Sequence, residues 1–215
     1  PMDRLLSADV GFGKTEVAMN AIFSVVQSGF GVFFFVPTTL LSHQHFKTLS
    51  KRFAPFGIRV KKLDRFTSSK EKSEILALID KKEAFVLIGT HALLNLKSEN
   101  LGLIIIDEEH KFGVKQKEKL KEFSQNSHIL SMSATPIPRS LNQALSTIKS
   151  YCVMQTPPQN RLAVRTFVKQ NDDKLLKEVI LREIRRGGQV FYIHNHIASI
   201  EQTKAHLQGL LPQLR

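Results

Sequence analysis

Short apolar runs alternate with amphipathic segments along most of this chain. Runs bounded by turn residues predict strands near 4–8, 31–36, 57–63, 84–88, 101–106, 128–133 and 150–154. Apolar residues at helical spacing occupy the segments between them, and after the first strand they are Val17, Ala18, Ala21, Ile22 and Val25. This repeated alternation of strand and helix predicts an α/β fold with a mostly parallel sheet flanked by helices.

Two of the apolar runs, Phe33–Val36 and Leu103–Ile106, have no alternating polar positions. Such runs are typical of parallel strands buried on both faces, so we assign Phe33, Phe34 and Phe35 to the core and not to a base-stacking surface. The longest apolar run, 32–36, is too short to span a bilayer, and no signal-peptide pattern opens the chain. With Cys152 as a single cysteine, these features predict a cytoplasmic protein.

A proline pair near residue 157 interrupts the alternation and predicts a linker over 156–161, after a first domain of residues 1–155. The remaining residues, 162–215, predict a strand over Leu162–Val168, a helix over Asp172–Arg186, a strand over Gln189–Ile193 and a helix to about Leu207. Two strands cannot close a sheet of this class, so we expect only the N-terminal part of a second, incomplete domain.

The chain has 31 Lys and Arg residues against 19 Asp and Glu, a net charge of +12. A basic excess of this size attracts polyanions, and nucleic acid is the obvious candidate. A generally basic proteome in the source organism would give the same excess, so charge alone leaves both interpretations open.

The segment from Ala8 to Thr15 has the residues that a phosphate-binding loop needs. Gly11 and Gly13 allow the tight turn that points successive backbone N–H groups at phosphates, and Lys14 can reach the β- and γ-phosphates. The Thr15 hydroxyl is a candidate ligand for Mg²⁺. Ala8 stands where the strict pattern has a first glycine. The loop predicts binding of a nucleoside triphosphate such as ATP.

Carboxylates follow the buried run Ile104–Ile106 directly. A buried carboxylate is costly without a cation, so Asp107 is predicted to hold Mg²⁺ together with Thr15, and Glu108 to polarise the attacking water. Asp107 and Glu108 are therefore the catalytic candidates. Ser133 and Thr135, at the end of another apolar strand, could hydrogen-bond to this cluster and transmit the nucleotide state, although simple turn chemistry would explain the same residues.

The phosphate loop, the Asp-Glu-Glu-His segment ending at His110 and the Ser-Ala-Thr segment resemble, in this order, motifs I, II and III of superfamily 2 helicases with a RecA-like core. The longer segments DEEHKFGV and ATPIPR narrow the resemblance to the branch that contains RecG and the bacterial transcription-repair coupling factors. Segments around Arg65, Arg161 and Gly187 are more similar to the coupling factors than to RecG. The resemblance implies ATP and Mg²⁺ as cofactors, and a coupling role for His110 beside Ser133 and Thr135.

Pro37–Leu41 and Gly89–Leu94 look like motifs Ia and Ib of the same helicases. The resemblance implies DNA contacts by Thr38, Thr39, Gln44, Thr90 and His91. Hydroxyls and N–H groups at helix starts can bind phosphate oxygens without reading sequence, which suits a motor that moves over any base. Ordinary helix capping, for example by Thr39, is the alternative.

The implied activity is ATP-driven translocation on double-stranded DNA, which this family uses to displace stalled RNA polymerase and to recruit nucleotide excision-repair proteins. Contacts with those partners would lie in domains outside this chain. A RecG-like helicase that remodels forks is one alternative. The other is a nucleotide- or DNA-binding module with negligible turnover, because the arginine-finger motif is not in the sequence and the adenine-binding glutamine motif would precede Pro1.

The histidine pairs and a group of three basic residues are weaker candidates for a functional site. The pairs His43/His45 and His194/His196 have neither the spacing nor the cysteine partners of a zinc site. Lys61, Lys62 and Arg65 are only secondary candidates for DNA contact, since exposed charges usually form solvated faces.

Overall fold

A computed structural model describes residues 1–123, 126–134, 150–159, 161 and 164–212. The chain divides into two compact units, Pro1–Arg161 and Leu162–Arg215. Thr135, one of the predicted coupling residues, lies outside the described residues. Within the described residues, no helix is long and apolar enough to cross a membrane.

A parallel sheet forms the centre of the first unit. Its strands are β1 (Asp3–Ala8), β2 (Gly31–Phe35), β3 (Val60–Leu63), β4 (Val86–Gly89), β5 (Leu101–Asp107), β6 (His128–Ser133) and β7 (Ser150–Met154). Their order across the sheet is β3-β4-β2-β5-β6-β1-β7, and each neighbouring pair is parallel. The predicted α/β class is confirmed. β3 begins three residues later than the pattern suggested, because Gly57, with φ 66°, still ends a short 3₁₀ helix there.

Helices cover both faces of this sheet. They are α1 (Lys14–Gln27), α2 (Thr39–Phe53), α3 (Ser69–Asp80) and α4 (Val114–Phe123), with 3₁₀ turns at Ala54–Phe56, His91–Asn95 and Glu109–Lys111. Side chains alternate between the two faces along each strand. Phe34 therefore packs in the cluster that holds α1 and α2, whereas Phe33 and Phe35 pack in the cluster that holds α3 and α4. The three phenylalanines are fully buried, so their assignment to the core is confirmed.

The first helix buries a slightly different stripe from the one that its sequence suggests. α1 buries Ala18, Met19, Ile22 and Val26, while Val17 is 38% exposed. Residues at i, i+4 and i+8 share a helix face, so Ala18, Ile22 and Val26 form the stripe that contacts the sheet. Burial of such a side chain contributes about 1.5–3 kcal/mol for the larger residues. Packing of this stripe against the sheet fixes the position of α1, and therefore of the phosphate loop at its N-terminus.

The second unit contains α5 (Asp173–Arg185), a 3₁₀ turn at Ile197–Ser199 and α6 (Ile200–Leu210). Asp172 caps α5 by accepting a hydrogen bond from Lys174 N–H at 3.1 Å. The two strands predicted at Leu162–Val168 and Gln189–Ile193 are wrong for their described residues, 164–168 and 189–193, which form no strand. A strand needs a hydrogen-bonded neighbour, and the described part of this unit offers none.

Candidate functional site

Three chain segments leave one edge of the sheet side by side. β5, β6 and β1 are neighbours and parallel, so their carboxyl ends lie at the same edge. Ser7 of β1 is in register with Ser133 of β6, and Asp107 of β5 is in register with Met132 of β6. The phosphate loop, the acidic cluster and the Ser-Ala segment that follows β6 therefore meet at this edge.

The phosphate loop turns through two glycines in left-handed conformations. Gly11 has φ 80° and Gly13 has φ 95°, and Gly13 is the residue that precedes α1. Phe12 N–H donates to the Asp9 carbonyl at 3.2 Å, which closes the turn. A Cβ at Gly11 would meet nothing within 4 Å, so conformation and not space requires glycine there. Thr15 follows as the second, partly exposed residue of α1.

Lys14 lies folded over the start of this loop. Its Nζ donates to the Ala8 carbonyl at 2.7 Å and to the Asp9 carbonyl at 3.2 Å. Ala8 is the last residue of β1 and is 4% exposed, so a small side chain fits at the position where the strict pattern has glycine. An ammonium group held by two carbonyls at the mouth of a phosphate loop can move to phosphate oxygens without leaving the loop.

Arg161, at the end of the first unit, contacts the outside of the phosphate loop. Its Nη1 donates to the Val10 carbonyl at 2.8 Å and its Nη2 to Asp9 Oδ2 at 2.9 Å. The guanidinium lies 4.9 Å from the centre of the Phe12 ring. The Val10 N–H, which donates to Asp9 Oδ1, and then the charge of Arg161 hold the pKa of the Asp9 carboxyl below its ordinary value. No local pattern around Arg161 indicates these contacts, because their partners lie about 150 residues earlier in the chain.

Asp107 is the last residue of β5, and its side chain is 14% exposed. His45 of α2 lies against it, with 3.3 Å between His45 Nε2 and Asp107 Oδ2. His45 is itself buried, and its ring packs 4.8 Å from that of Phe34. Sequence alone does not indicate this contact, because a lone histidine on the buried face of a helix looks like any other core residue.

Glu108 adopts a left-handed conformation with φ 52° and ψ 53°. For a residue other than glycine this costs about 1–3 kcal/mol, and such strain is concentrated at functional sites. The Glu108 N–H donates to the Met132 carbonyl at 3.0 Å, which fixes the turn against β6. Glu108 Oε2 is buried and receives no hydrogen bond from any described residue, although His110 Nδ1 lies 3.3 Å away. The turn thus holds an acceptor ready for a ligand or water.

Ser131 and Ser133 lie buried at the end of β6, and both have partners. Ser133 is therefore at the same sheet edge as Asp107 and the phosphate loop. His110 is exposed in the 3₁₀ turn that follows Glu108.

The five residues expected to contact DNA follow β2 and β4, which are also neighbours in the sheet. Thr38 caps α2, since its Oγ1 accepts a hydrogen bond from Leu41 N–H at 3.2 Å. Thr39, the capping residue in the alternative to DNA contact, is instead the first helical residue. Gln44 and His91 are exposed, whereas Thr90 is 6% exposed and precedes the 3₁₀ turn. This half of the edge adjoins the half with the phosphate loop, because β2 pairs with β5.

Some of the histidines and lysines considered as weaker candidates contact neighbouring side chains. His194 Nε2 lies 2.8 Å from Ser199 Oγ, and no group of three His, Cys, Asp or Glu side chains that could hold a metal ion occurs among the described residues. Lys61 pairs with Glu74 at 2.9 Å and Lys62 with Asp64 at 2.8 Å.

The parallel sheet, the phosphate loop and the strand-end carboxylates define a nucleotide-binding protein of the RecA-like P-loop class. A family model described as DEAD/DEAH box helicase matches residues 2–144. The chain belongs to the DEAD/DEAH box helicase family.

Similar proteins narrow this assignment. The transcription-repair-coupling factor of Helicobacter pylori strain J99 is 60% identical over 214 residues, 100% of this chain and 21% of that protein. That of Escherichia coli strain K12 is 48% identical over 216 residues, 100% of this chain and 19% of that protein. The chain thus spans about a fifth of the length of these relatives.

Solved structures agree on the fold. RecG bound to a three-way DNA junction is 36% identical with a TM-score of 0.79, over 98% of this chain and 29% of that one. The helicase MrfA bound to DNA and AMPPNP has a TM-score of 0.69 at 16% identity, over 99% of this chain and 34% of that one, which supports the fold alone.

Proposed function

We propose that this chain is the ATP-binding and DNA-binding part of a motor that moves along double-stranded DNA. The observation that carries the proposal is the single sheet edge where the phosphate loop, Asp107, Glu108 and Ser133 meet, next to the exposed residues that follow β2 and β4. Binding of nucleotide and of DNA at adjacent parts of one rigid edge is what an ATP-driven translocase requires. The net charge of +12 supports a polyanionic substrate.

We assign phosphate binding to Gly11, Gly13 and Lys14. The positive end of α1 and the N–H groups of the loop favour bound anions at this position. Lys14 Nζ, which now contacts two carbonyls, would exchange them for β- and γ-phosphate oxygens. We also propose that ATP is hydrolysed at this site.

Thr15 and Asp107 are proposed to hold Mg²⁺. A hydroxyl and a carboxylate are hard oxygen donors that suit this ion, and Asp107 at the end of a buried strand is costly without a cation. Bound Mg²⁺ would supply charge neutralisation at the β- and γ-phosphates. Glu108, whose Oε2 receives no hydrogen bond from the described residues, is proposed to orient the attacking water. Ser133, Thr135 and His110 are proposed to transmit the nucleotide state.

DNA contact is proposed for Thr38, Thr39, Gln44, Thr90 and His91. The Thr90 carbonyl accepts a hydrogen bond from Leu93 N–H at the start of the turn that holds His91. Hydroxyl, amide and imidazole groups here can bind phosphate oxygens and would carry no sequence preference. For domain organisation we propose a RecA-like domain over 1–155, a linker over 156–161 and the beginning of a second RecA-like domain over 162–215.

The names of the relatives suggest the biological role. We propose that the whole protein couples transcription to nucleotide excision repair by displacing stalled RNA polymerase, with the polymerase and repair proteins bound by other parts of that protein. A RecG-like role in remodelling branched DNA is the second candidate, favoured by the TM-score of 0.79 with RecG on a three-way junction. In isolation, this chain is expected to bind nucleotide and DNA with little turnover.

Binding of fluorescent ADP in the presence of Mg²⁺ tests the proposal directly. Lys14→Ala should weaken binding at least about tenfold, because the charge on the phosphates loses its main partner. Lys72→Ala on the exposed face of α3 removes the same charge elsewhere and should leave affinity unchanged. Equal affinity in the two variants would refute the site. Competition between plain duplex and a three-way junction separates the two DNA-based roles.

A further inference from the structure

The bond between His45 and Asp107 connects the two halves of the sheet edge. His45 belongs to α2, whose N-terminus carries the residues proposed to contact DNA, whereas Asp107 is proposed to hold Mg²⁺. Only 3.3 Å separates His45 Nε2 from Asp107 Oδ2. A carboxylate only accepts hydrogen bonds, so Nε2 carries the proton and donates it.

The hydrogen bond between His45 and Asp107 is largely shielded from solvent. The side chains of His45 and Asp107 are 11% and 14% exposed. Electrostatic interactions are stronger where water is excluded. A hydrogen bond to one oxygen of a carboxylate also fixes the orientation of the other oxygen, which is then free to bind a metal ion. The Phe34 ring, 4.8 Å from that of His45, holds the imidazole against the sheet.

His45 is part of the packed face of α2. It lies on the buried face of this helix with Ser42, Leu49 and Phe53, and it directly follows the exposed Gln44. The Ser42 hydroxyl is buried without a hydrogen-bond partner among the described residues. A buried hydroxyl without a partner is unfavourable, so this end of α2 can gain from a small change in its position. Such a change would also shift His45, which lies three residues further along the same face of α2.

We propose that His45 is a positioning residue through which α2 reports DNA contact to the magnesium-binding carboxylate. This inference rests on the proposed function of both halves of the edge. DNA bound at the start of α2 shifts the helix, His45 shifts with it, and the Asp107 carboxylate turns relative to the nucleotide. Linkage is reciprocal, so DNA must change the affinity for Mg·ADP by the same factor by which Mg·ADP changes the affinity for DNA.

The experiment measures the dissociation constant of fluorescent Mg·ADP with and without a saturating DNA duplex. For the natural chain we expect the two values to differ at least about fivefold, the lower end of typical coupling. His45→Phe fills the space beside Phe34 but has no donor, and should bring the ratio close to one. His45→Gln has an amide donor near the position of Nε2 and should keep most of the ratio. His43→Gln, on the exposed side of α2, is the matched control and should change nothing.

A second readout separates positioning from simple packing. The gain in ADP affinity on adding Mg²⁺ should fall about tenfold or more in His45→Phe and recover in His45→Gln, because removal of a group that orients a metal ligand typically has this effect. ADP affinity in EDTA should be the same in all four proteins. A variant that merely loosens the fold would lower affinity in EDTA as well.

Three results overturn the inference: a natural chain whose Mg·ADP affinity does not respond to DNA, a full response in His45→Phe, or the same loss in His45→Gln as in His45→Phe. A natural chain that binds no ADP, or one whose Lys14→Ala variant binds equally well, is a different result, because it refutes the proposed function itself.

Discussion

Arg161 and Asp9 form an ion pair with 2.9 Å between Nη2 and Oδ2, although 152 residues separate them in sequence. The same guanidinium donates to the Val10 carbonyl. In a trans peptide the carbonyl and the following N–H point in opposite directions, so Arg161 also sets the direction of the Gly11 N–H. The last residue of the first unit thus helps to shape the phosphate loop.

Arg161→Ala is therefore expected to raise the dissociation constant of Mg·ADP by about threefold to tenfold, the range that a partly exposed ion pair and one hydrogen bond to a charged group give. Arg165→Ala removes the same charge from an exposed position in the second unit and should have no effect. Fluorescent ADP titration measures both. Affinity within twofold of the natural chain would show that the loop keeps its shape without Arg161.

Hydrolysis should depend on the Glu108 carboxylate. Glu108→Gln preserves shape but cannot accept a proton from water, so phosphate release should fall at least about a hundredfold while Mg·ADP affinity stays within about twofold. Single-turnover assays with excess protein detect slow hydrolysis and make the comparison possible at low activity. Glu118→Gln, an exposed carboxylate on α4, is the control. Unchanged phosphate release in Glu108→Gln would remove Glu108 from the proposed chemistry.

The conformation of Glu108 predicts a separate effect on stability. Glu108 and Lys82 are the residues other than glycine with positive φ in the described part of the chain, at 52° and 54°. Glycine relieves this strain at a cost in unfolded-state entropy, so Glu108→Gly and Lys82→Gly should each raise the free energy of unfolding by about 0.5–1.5 kcal/mol. Chemical denaturation measures this gain.

ATP hydrolysis should distinguish Glu108→Gly from Lys82→Gly. Glu108→Gly should hydrolyse no ATP, whereas Lys82→Gly should behave as the natural chain. A loss of stability in Glu108→Gly would mean that the turn is held by its side chain and is not strained.

A pH effect is expected at the start of α3. Ser68 Oγ accepts a hydrogen bond from Glu71 N–H, and Glu71 Oε2 accepts bonds from the Ser68 hydroxyl and N–H at 2.7 and 2.8 Å. These bonds, the hydroxyl first, lower the pKa of the Glu71 carboxyl. The folded state therefore holds this proton less well than the unfolded state. The stability from the bonds is complete above about pH 5 and is lost as pH falls through the folded pKa.

Ser68→Ala should accordingly raise the pKa of Glu71 towards its ordinary value. Its melting temperature should lie about 2–8 °C below that of the natural chain at pH 7, with a smaller difference below about pH 4. Ser73→Ala, which removes a hydroxyl one turn later in α3, should give no pH-dependent difference. NMR titration of Glu71 and thermal melts measure the two effects, and a difference independent of pH would contradict the assignment.

The parts of this molecule that sequence could predict are those that depend on local pattern. The continuous run Ile104–Ile106 predicted a buried strand with Asp107 at its end, and that strand is present as β5. The left-handed Gly11 and Gly13 are visible from residue type alone.

Features that depend on packing could not be predicted. Helical spacing with Leu49 and Phe53 places His45 on the buried side of α2, but its contact with Asp107 exists only because α2 packs on the same face of the sheet as α1. Val190 and Phe191 have strand-forming side chains but lack a hydrogen-bonded neighbour among the described residues. Arg161 reaches Asp9 through the fold and not through sequence proximity.

The last prediction separates two possible roles of Thr38, which caps α2 and is proposed to contact DNA. Its Oγ1 accepts a hydrogen bond from Leu41 N–H, and an aspartate at this position would accept the same bond while adding a negative charge that favours the helix N-terminus. Thr38→Asp should therefore keep the melting temperature but weaken duplex binding at least about threefold at low salt, because the new charge repels phosphate. Thr38→Ala should lose about 1 kcal/mol of stability.

Thr48→Asp places the same charge further along α2 and controls for the change in net charge. Duplex affinity is measured by fluorescence anisotropy, and stability by thermal melting of the same samples. If Thr38→Asp bound duplex as well as Thr48→Asp does, the hydroxyl of Thr38 would be a cap and nothing more, and the DNA contact near α2 would have to come from Thr39 and Gln44.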